Sequence, residues 1–189
     1  DFTNITSISL PDTITNIGEY AFYRCSNLAI INLPNGLPNV GNRTFYQCTK
    51  LTSITLPESI TAIREAAFYQ SGLTSIRIPA SVISVGEDAF TGCNSLTNVT
   101  VSSYAAQNFR TIFEYCTNIQ YITVFGNAPS IDINFASPLK SVSVSSDNIN
   151  YSSKDRILYN KAQTSIIGIP GALSGDITLA NGVTSIGYN

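Results

Sequence analysis

A β-rich repeat solenoid is the fold that this sequence predicts, on three observations. The stretches Leu28 to Lys50, Leu51 to Gly72 and Leu73 to Ser95 superpose, with Leu51, Ile54, Leu56, Pro57, Ile60, Ile63, Ala67 and Phe68 or their equivalents recurring in place. Self-similarity at a period of ~20–30 residues marks a chain of stacked coils. The cysteines, Cys25, Cys48, Cys93 and Cys116, stand 23, 45 and 23 residues apart. Those gaps are one, two and one periods, so the repeat sets their places, not a metal-ligand spacing. Finally, charged residues are only 12% of the chain and the net charge is -2. Solubility then rests on Ser, Thr and Asn, and nothing in this balance attracts a polyanion such as nucleic acid.

Within one unit, Ile54-Thr55-Leu56 alternates with period two and reads as a short strand with one buried face. Pro57 stops it, because proline cannot donate to a ladder. Ile60 and Ile63 turn inward on the next side of the coil. Glu65-Ala66-Ala67-Phe68 is too short for an isolated helix and is expected to form one helical turn that plants Phe68 in the core. Gln70-Ser71-Gly72 leads back to the next strand. Such a coil cannot bury its two Leu, three Ile, Ala and Phe alone, because neighbours must cover its open sides.

In chain order, Phe2 takes the Phe68 position of a preceding coil. Coil one starts at Ile5, coil two at Leu28, coil three at Leu51 and coil four at Leu73. Coil five starts at Leu96 and drifts: Ser102 replaces the proline and Tyr104 to Asn108 replaces the second apolar pair. Coil six starts at Ile119 and is shorter, with Phe125, Pro129 and Phe135 filling in. Coil seven starts at Leu139 and diverges most, with a polar cluster at Ser145 to Asn148. Two apolar strands then flank a polar turn at Asn160 to Gln163 and read as a β-hairpin. The repeat resumes at Ile177. Residues 1–189 are expected to be a single domain of about eight to nine coils, open at both ends and part of a longer protein.

Catalytic chemistry finds little to work with. There is no His, so the usual general base is missing. Glu65, Glu87 and Asp88 could gather on one edge, against the plainer reading of a solvated acidic edge. Cys25 with Cys48, and Cys93 with Cys116, could approach each other, against the plainer reading of buried free thiols filling the core. No cofactor and no metal is expected. The sequons at Asn4, Asn42, Asn98 and Asn150 are no more than this content of Asn, Ser and Thr produces by chance. No apolar run approaches the ~18–20 residues of a membrane span.

The pattern Leu-x-x-Ile-x-Leu-Pro-x-x-Ile-x-x-Ile-x-x-x-Ala-Phe-x-x-Cys, seen with conservative swaps from Ile5 and from Leu73, resembles the BspA-type leucine-rich repeat. Tyr151 to Pro170 is similar to a hairpin-bearing segment common in that family, with Asp155-Arg156 standing where the family more often has Asp-Gly. The resemblance implies a curved leucine-rich-repeat array with a stacked parallel sheet, short helical turns and a β-hairpin insertion near the C-terminal end. It also implies a secreted or cell-surface protein whose role is adhesion to host or extracellular-matrix proteins, with no enzymatic activity.

Function is then expected in the letters that stacking leaves free. Solenoids bind partners on continuous sheet faces. Outward strand positions here are mostly hydroxyls, and Ile30, Arg77, Asn98, Tyr121 and Lys140 are the candidate partner-binding residues. Arg and Tyr are favoured interface residues. The plainer alternative is an evenly solvated, β-favouring surface. A second functional class is a structural spacer: Gly187-Tyr188-Asn189 followed by Asp1-Phe2 continues the Gly18-Glu19-Tyr20-Ala21-Phe22 pattern, which predicts head-to-tail self-association.

Overall fold

The computed structural model describes residues 4–134 and 138–187. Phe2, Phe135, Tyr188 and Asn189, and with them the head-to-tail junction, lie outside the described residues. The chain is a solenoid, and coils two to four each have the same three sides.

The first side is the strand. β1 (Ser7–Ser9) pairs in parallel with β2 (Ile30–Asn32), Ser7 opposite Ile30. Thr52–Thr55 of coil three keeps the alternation, with Ile54 and Leu56 buried and Thr52, Ser53 and Thr55 exposed, but joins no ladder. Each Pro carbonyl after the strand accepts from the N–H three residues on, Pro57 from Ile60 at 3.1 Å and Pro79 from Val82 at 3.2 Å. This turn swings the chain onto the second side. There β3 (Asn39–Val40), β4 (Ala62–Ile63) and β6 (Ser84–Val85) form a second parallel sheet. The main strand face continues with β5 (Ser75–Arg77) and β7 (Asn98–Val101).

The third side differs from the expected helical turn. Ala66 and Gln70 have φ of 49° and 50°, so the chain makes successive tight turns. Ala66, Phe68 and Gln70 donate their N–H groups to Glu87, Ala89 and Thr91 of the next coil at 2.9, 2.7 and 2.9 Å. Groups pointing along the solenoid axis cannot also close bonds within a helix, which is why none forms there. The rings of Phe22, Phe45, Phe68 and Phe90 stack at 5.4, 5.3 and 5.1 Å. The expected core letters of coil three, Leu51, Ile54, Leu56, Ile60, Ile63, Ala67 and Phe68, are all buried. Burying an aliphatic or Phe side chain is worth ~1.5–3 kcal/mol, and the stacked neighbours make that burial complete.

Among the described residues, helices appear only where the pattern drifts. In coil five, α1 (Ser103–Gln107) and α2 (Phe109–Ile112) bury Ala105, Ala106, Phe109 and Ile112. Ser102, standing for the proline, donates its hydroxyl to the Pro79 carbonyl at 3.2 Å. β8 (Tyr121–Val124) and β9 (Ser141–Val144) complete the parallel sheet β5-β7-β8-β9.

Beyond β9 the chain leaves the solenoid as an antiparallel meander. β10 (Tyr151–Lys154) pairs with β11 (Ile157–Asn160), and β11 with β12 (Ser165–Gly168). The expected hairpin is β11–β12; β10 is an additional strand that the sequence reading did not separate. Asp155 and Arg156 join β10 to β11 with φ of 50° and 71°, the two-residue turn that matches strand twist. Asn148, wholly buried, directs the departure: its Oδ1 accepts from Asn150 and Tyr151 N–H at 2.9 and 2.7 Å, and its Nδ2 donates to the Gly126 carbonyl at 3.0 Å. β13 (Ser185–Ile186) then returns to parallel pairing on β12.

Candidate functional site

Alternation along the strands divides their side chains into core and surface, and register aligns the surface ones in rows. One row on the larger sheet runs Ser75, Asn98, Tyr121, Ser141; another runs Arg77, Thr100, Thr123, Ser143. Asn98 and Tyr121 are therefore direct cross-strand neighbours. Lys140 lies one residue before Ser141, with its Nζ 5.9 Å from the centre of the Tyr121 ring. The Arg77 guanidinium carbon lies 4.4 Å from the centre of the Phe125 ring, and its Nη1 is 2.5 Å from Glu58 Oε1. Three of the five candidate residues thus share the sheet β5-β7-β8-β9, and Lys140 lies just before its last strand. Ile30, 68% exposed, stands apart on β1–β2, across the unladdered segment of coil three.

A third row is used by stacking. Thr74 Oγ1 donates to the Thr52 carbonyl at 3.1 Å, and Thr97 Oγ1 to the Thr74 carbonyl at 3.2 Å. These hydroxyls belong to outward positions that alternation leaves free, but their bonds run along the coils.

The four cysteines are buried and none is in a disulfide. Cys48, Cys93 and Cys116 each point Sγ at the carbonyl of an aromatic residue one coil back, Phe22, Phe68 and Phe90, at 3.1 Å. Ser71 fills the column in coil three, its Oγ 3.3 Å from Cys93 Sγ. Burial, with the charge of Cys25 as a lesser cause, pushes the Cys48 thiol up to about 12. Cys116 is held well above the thiol range by its bond to the Cys93 sulfur and by burial. The Cys48 and Cys116 sulfurs stay protonated, which makes them poor nucleophiles.

Of the three acids that could share an edge, two already have partners. Glu65 is bonded to Arg43, and Asp88 Oδ1 accepts from Thr91 Oγ1 at 2.9 Å. Among the described residues, no group of three or more His, Cys, Asp or Glu side chains is placed to hold a metal ion.

One surface feature escaped the sequence reading. Tyr23, Tyr46 and Tyr69 stack at 5.0 and 4.8 Å on the turn side, flanked by a polar chain in which Arg24 Nε donates to Gln47 (3.0 Å) and Gln47 Nε2 to Gln70 (2.8 Å). Arg43 joins it through the Tyr20 hydroxyl at 2.9 Å, the main cause raising its pKa. The signal was present: Tyr follows the core Phe in each of coils one to three.

The model of the BspA type leucine rich repeat region matches residues 1–119 and 61–174, in six copies. Among solved structures, the chain is similar to a leucine-rich repeat protein from Bacteroides ovatus, with 28% identity and a TM-score of 0.57 over 77% of this chain and 39% of that one. It is also similar to a leucine-rich repeat protein from T. pallidum, with 28% identity and a TM-score of 0.52 over 62% of this chain and 58% of that one. A leucine-rich repeat protein from Eubacterium ventriosum shares the fold at 21% identity, with a TM-score of 0.52 over 98% of this chain and 50% of that one. The chain thus spans between 39% and 58% of the length of these proteins. No curated protein matches it in sequence.

Proposed function

The chain belongs to the BspA-type leucine-rich repeat family, and from that premise we propose that it is a non-catalytic protein-binding module, serving adhesion, in a cell-surface or secreted protein. Residues 1–189 are taken as one repeat domain of that protein. The carrying observation is the sheet β5-β7-β8-β9, whose apolar letters are wholly used in stacking while its outward rows present Arg77, Asn98, Thr100, Tyr121, Thr123 and Lys140 side by side. A continuous sheet face of this kind is where solenoids take partners. Surface or extracellular placement rests on family membership.

Site-specific photocrosslinking in the intact protein, on its native cells, tests this reading. A benzophenone side chain at Ser75 or Thr123 is expected to capture a protein partner, and the same group at Arg64 or Glu87 is not. Arg77→Glu combined with Tyr121→Ala is expected to cut capture at least tenfold. Capture only from Arg64 and Glu87, or unchanged capture by the double variant, would move the site off the strand face.

A further inference from the structure

The outward strand positions carry cations and no carboxylate, and we infer from them that the partner presents an acidic stretch of polypeptide. This inference rests on the protein-binding reading above and deepens it. Outward positions of the strand segments, from Thr6–Ser9 through Lys140–Ser143, include the cations Arg77 and Lys140 and no carboxylate. Yet the whole chain has 12 Asp and Glu against 10 Lys and Arg. The acids lie elsewhere: Asp12 and Glu58 on the turn after the strand, and Glu19, Glu65, Glu87 and Asp88 on the side that leads into the Phe turn.

The far edge of the sheet adds to this field. Val142 N–H donates to the Arg156 carbonyl at 3.2 Å and Val144 N–H to Ser153 Oγ at 2.9 Å. The β10–β11 turn is therefore fastened to β9. It sets Lys154 and Arg156, both exposed, at that end of the face, with Asp155 as the one acid between them.

Both face cations are held in place before any partner arrives. Arg77 lies over Phe125 and Lys140 over Tyr121, so less side-chain freedom is lost on binding. The Glu58 partner of Arg77 is no obstacle. Its side chain is 65% exposed, and a solvent-screened pair of that kind contributes little to stability. A carboxylate of the partner can exchange with it. Between the cations, Asn98, Thr100, Thr123 and Ser143 supply the donors and acceptors that a peptide backbone uses. A nucleic acid is disfavoured, because so few cations neutralise too few phosphates.

Register gives the spacing. Arg77 aligns with Thr100, Thr123 and Ser143, so Lys140 stands three strands away and three residues back along the strand. With strands ~4.8 Å apart and residues rising ~3.3 Å, the two anchor points are ~17 Å apart. An extended peptide covers that in about five residues.

The test is a displayed library of random 12-residue peptides, panned against the full chain and against its Lys140→Glu and Arg77→Glu variants, with folding of each checked by thermal melting. Expected are peptides with Asp or Glu about four to six residues apart. Their binding should fall at least tenfold in Lys140→Glu, fall less in Lys140→Met, and weaken as salt rises. Enriched peptides without acidic bias that still lose binding in Tyr121→Ala would overturn this inference and leave the protein-binding reading standing. Peptides indifferent to Lys140→Glu, Arg77→Glu and Tyr121→Ala alike, or no enrichment at all, would overturn both. A 12-base oligothymidine that binds as tightly as the best peptide and is lost in Lys140→Glu would also overturn it, in favour of a general polyanion site.

Discussion

Phe68 and Asn148 are both wholly buried, and the regions they hold together are built by opposite means. Phe68 belongs to coils two to four, where most buried letters lie on a like one a coil away and tight-turn N–H groups cross to the neighbouring coil. No single residue there is distinctive; the column is. Asn148 begins the stretch that leaves the solenoid, where no column exists and the backbone is satisfied by individual side chains. Asn148 ties two N–H groups and one carbonyl, and Asn160 Oδ1 ties Thr164 and Ser165 N–H at 2.9 and 3.0 Å across the next turn. Periodic apolar letters specify the rod, and a few unrepeated polar ones specify the exit from it.

The largest expected effect breaks a column. Phe68→Ala removes the ring between Phe45 and Phe90 and should lower unfolding free energy by about 3–5 kcal/mol, measured by urea denaturation. A loss under about 2 kcal/mol would mean that the coils close over the gap, unlike a rigid core. Next is Asn148→Ala, which strands two donors and a carbonyl and should cost about 2–4 kcal/mol. The comparison is sharpened by hydrogen exchange. Deprotection should spread over coils two to five in Phe68→Ala and stay within residues 145–170 in Asn148→Ala. Matching exchange maps would show the two regions to be one cooperative unit.

That contrast also explains what could be read from the letters. Coils one to four were legible because stacking repeats each requirement once per period, so Leu51, Ile60 and Phe68 could be checked against two neighbours each. The left-handed turn at Ala66 was not, since alanine carries no mark of positive φ and the chain's own Glu-Ala-Ala-Phe reads as helix. The β11–β12 hairpin was visible through its polar turn, whereas β10 was not: Tyr151 to Lys154 is polar and gains its strand character from pairing with β11. Of the candidate site, the outward positions were legible from alternation. The Arg77–Phe125 and Lys140–Tyr121 contacts were not, because they depend on side-chain reach across strands.

A smaller effect probes the thiol column, which the meander lacks. The ordinary value for the Cys48 thiol is 9.0 and the folded one is about 12. Its contribution is fully present below pH 9 and is lost as pH rises through about 12, because the unfolded chain releases the proton first. Cys48→Ser, copying Ser71 one coil on, removes this titration. The urea midpoint of the native chain should therefore fall more steeply between pH 9 and 11 than that of Cys48→Ser. Parallel slopes would place the Cys48 thiol in contact with water.

The smallest effect is a gain, and it lies in the meander. Arg156 holds φ at 71°, where a side chain costs ~1–2 kcal/mol relative to glycine. Asp155 at 50° is a residue type that tolerates this region better. Arg156→Gly relieves the strain but lets the unfolded chain explore more, which returns ~0.4–1 kcal/mol. The net stabilisation should be about 0.5–1 kcal/mol, read as a higher melting temperature, with Arg156→Val losing stability instead because a β-branched side chain resists positive φ. In the coils Ala66 and Gln70 also hold positive φ, at 49° and 50°, but glycine there would give up the buried Ala66 methyl and the Gln70 bond to Gln47. At Gly86 the reverse substitution would bring a Cβ within 2.4 Å of the Glu65 nitrogen, since coil-to-coil contact has already fixed which residue fits. The β10–β11 turn is tied to the rod through its backbone, the Arg156 carbonyl on Val142 N–H, so the side chain at 156 can be exchanged without losing that tie.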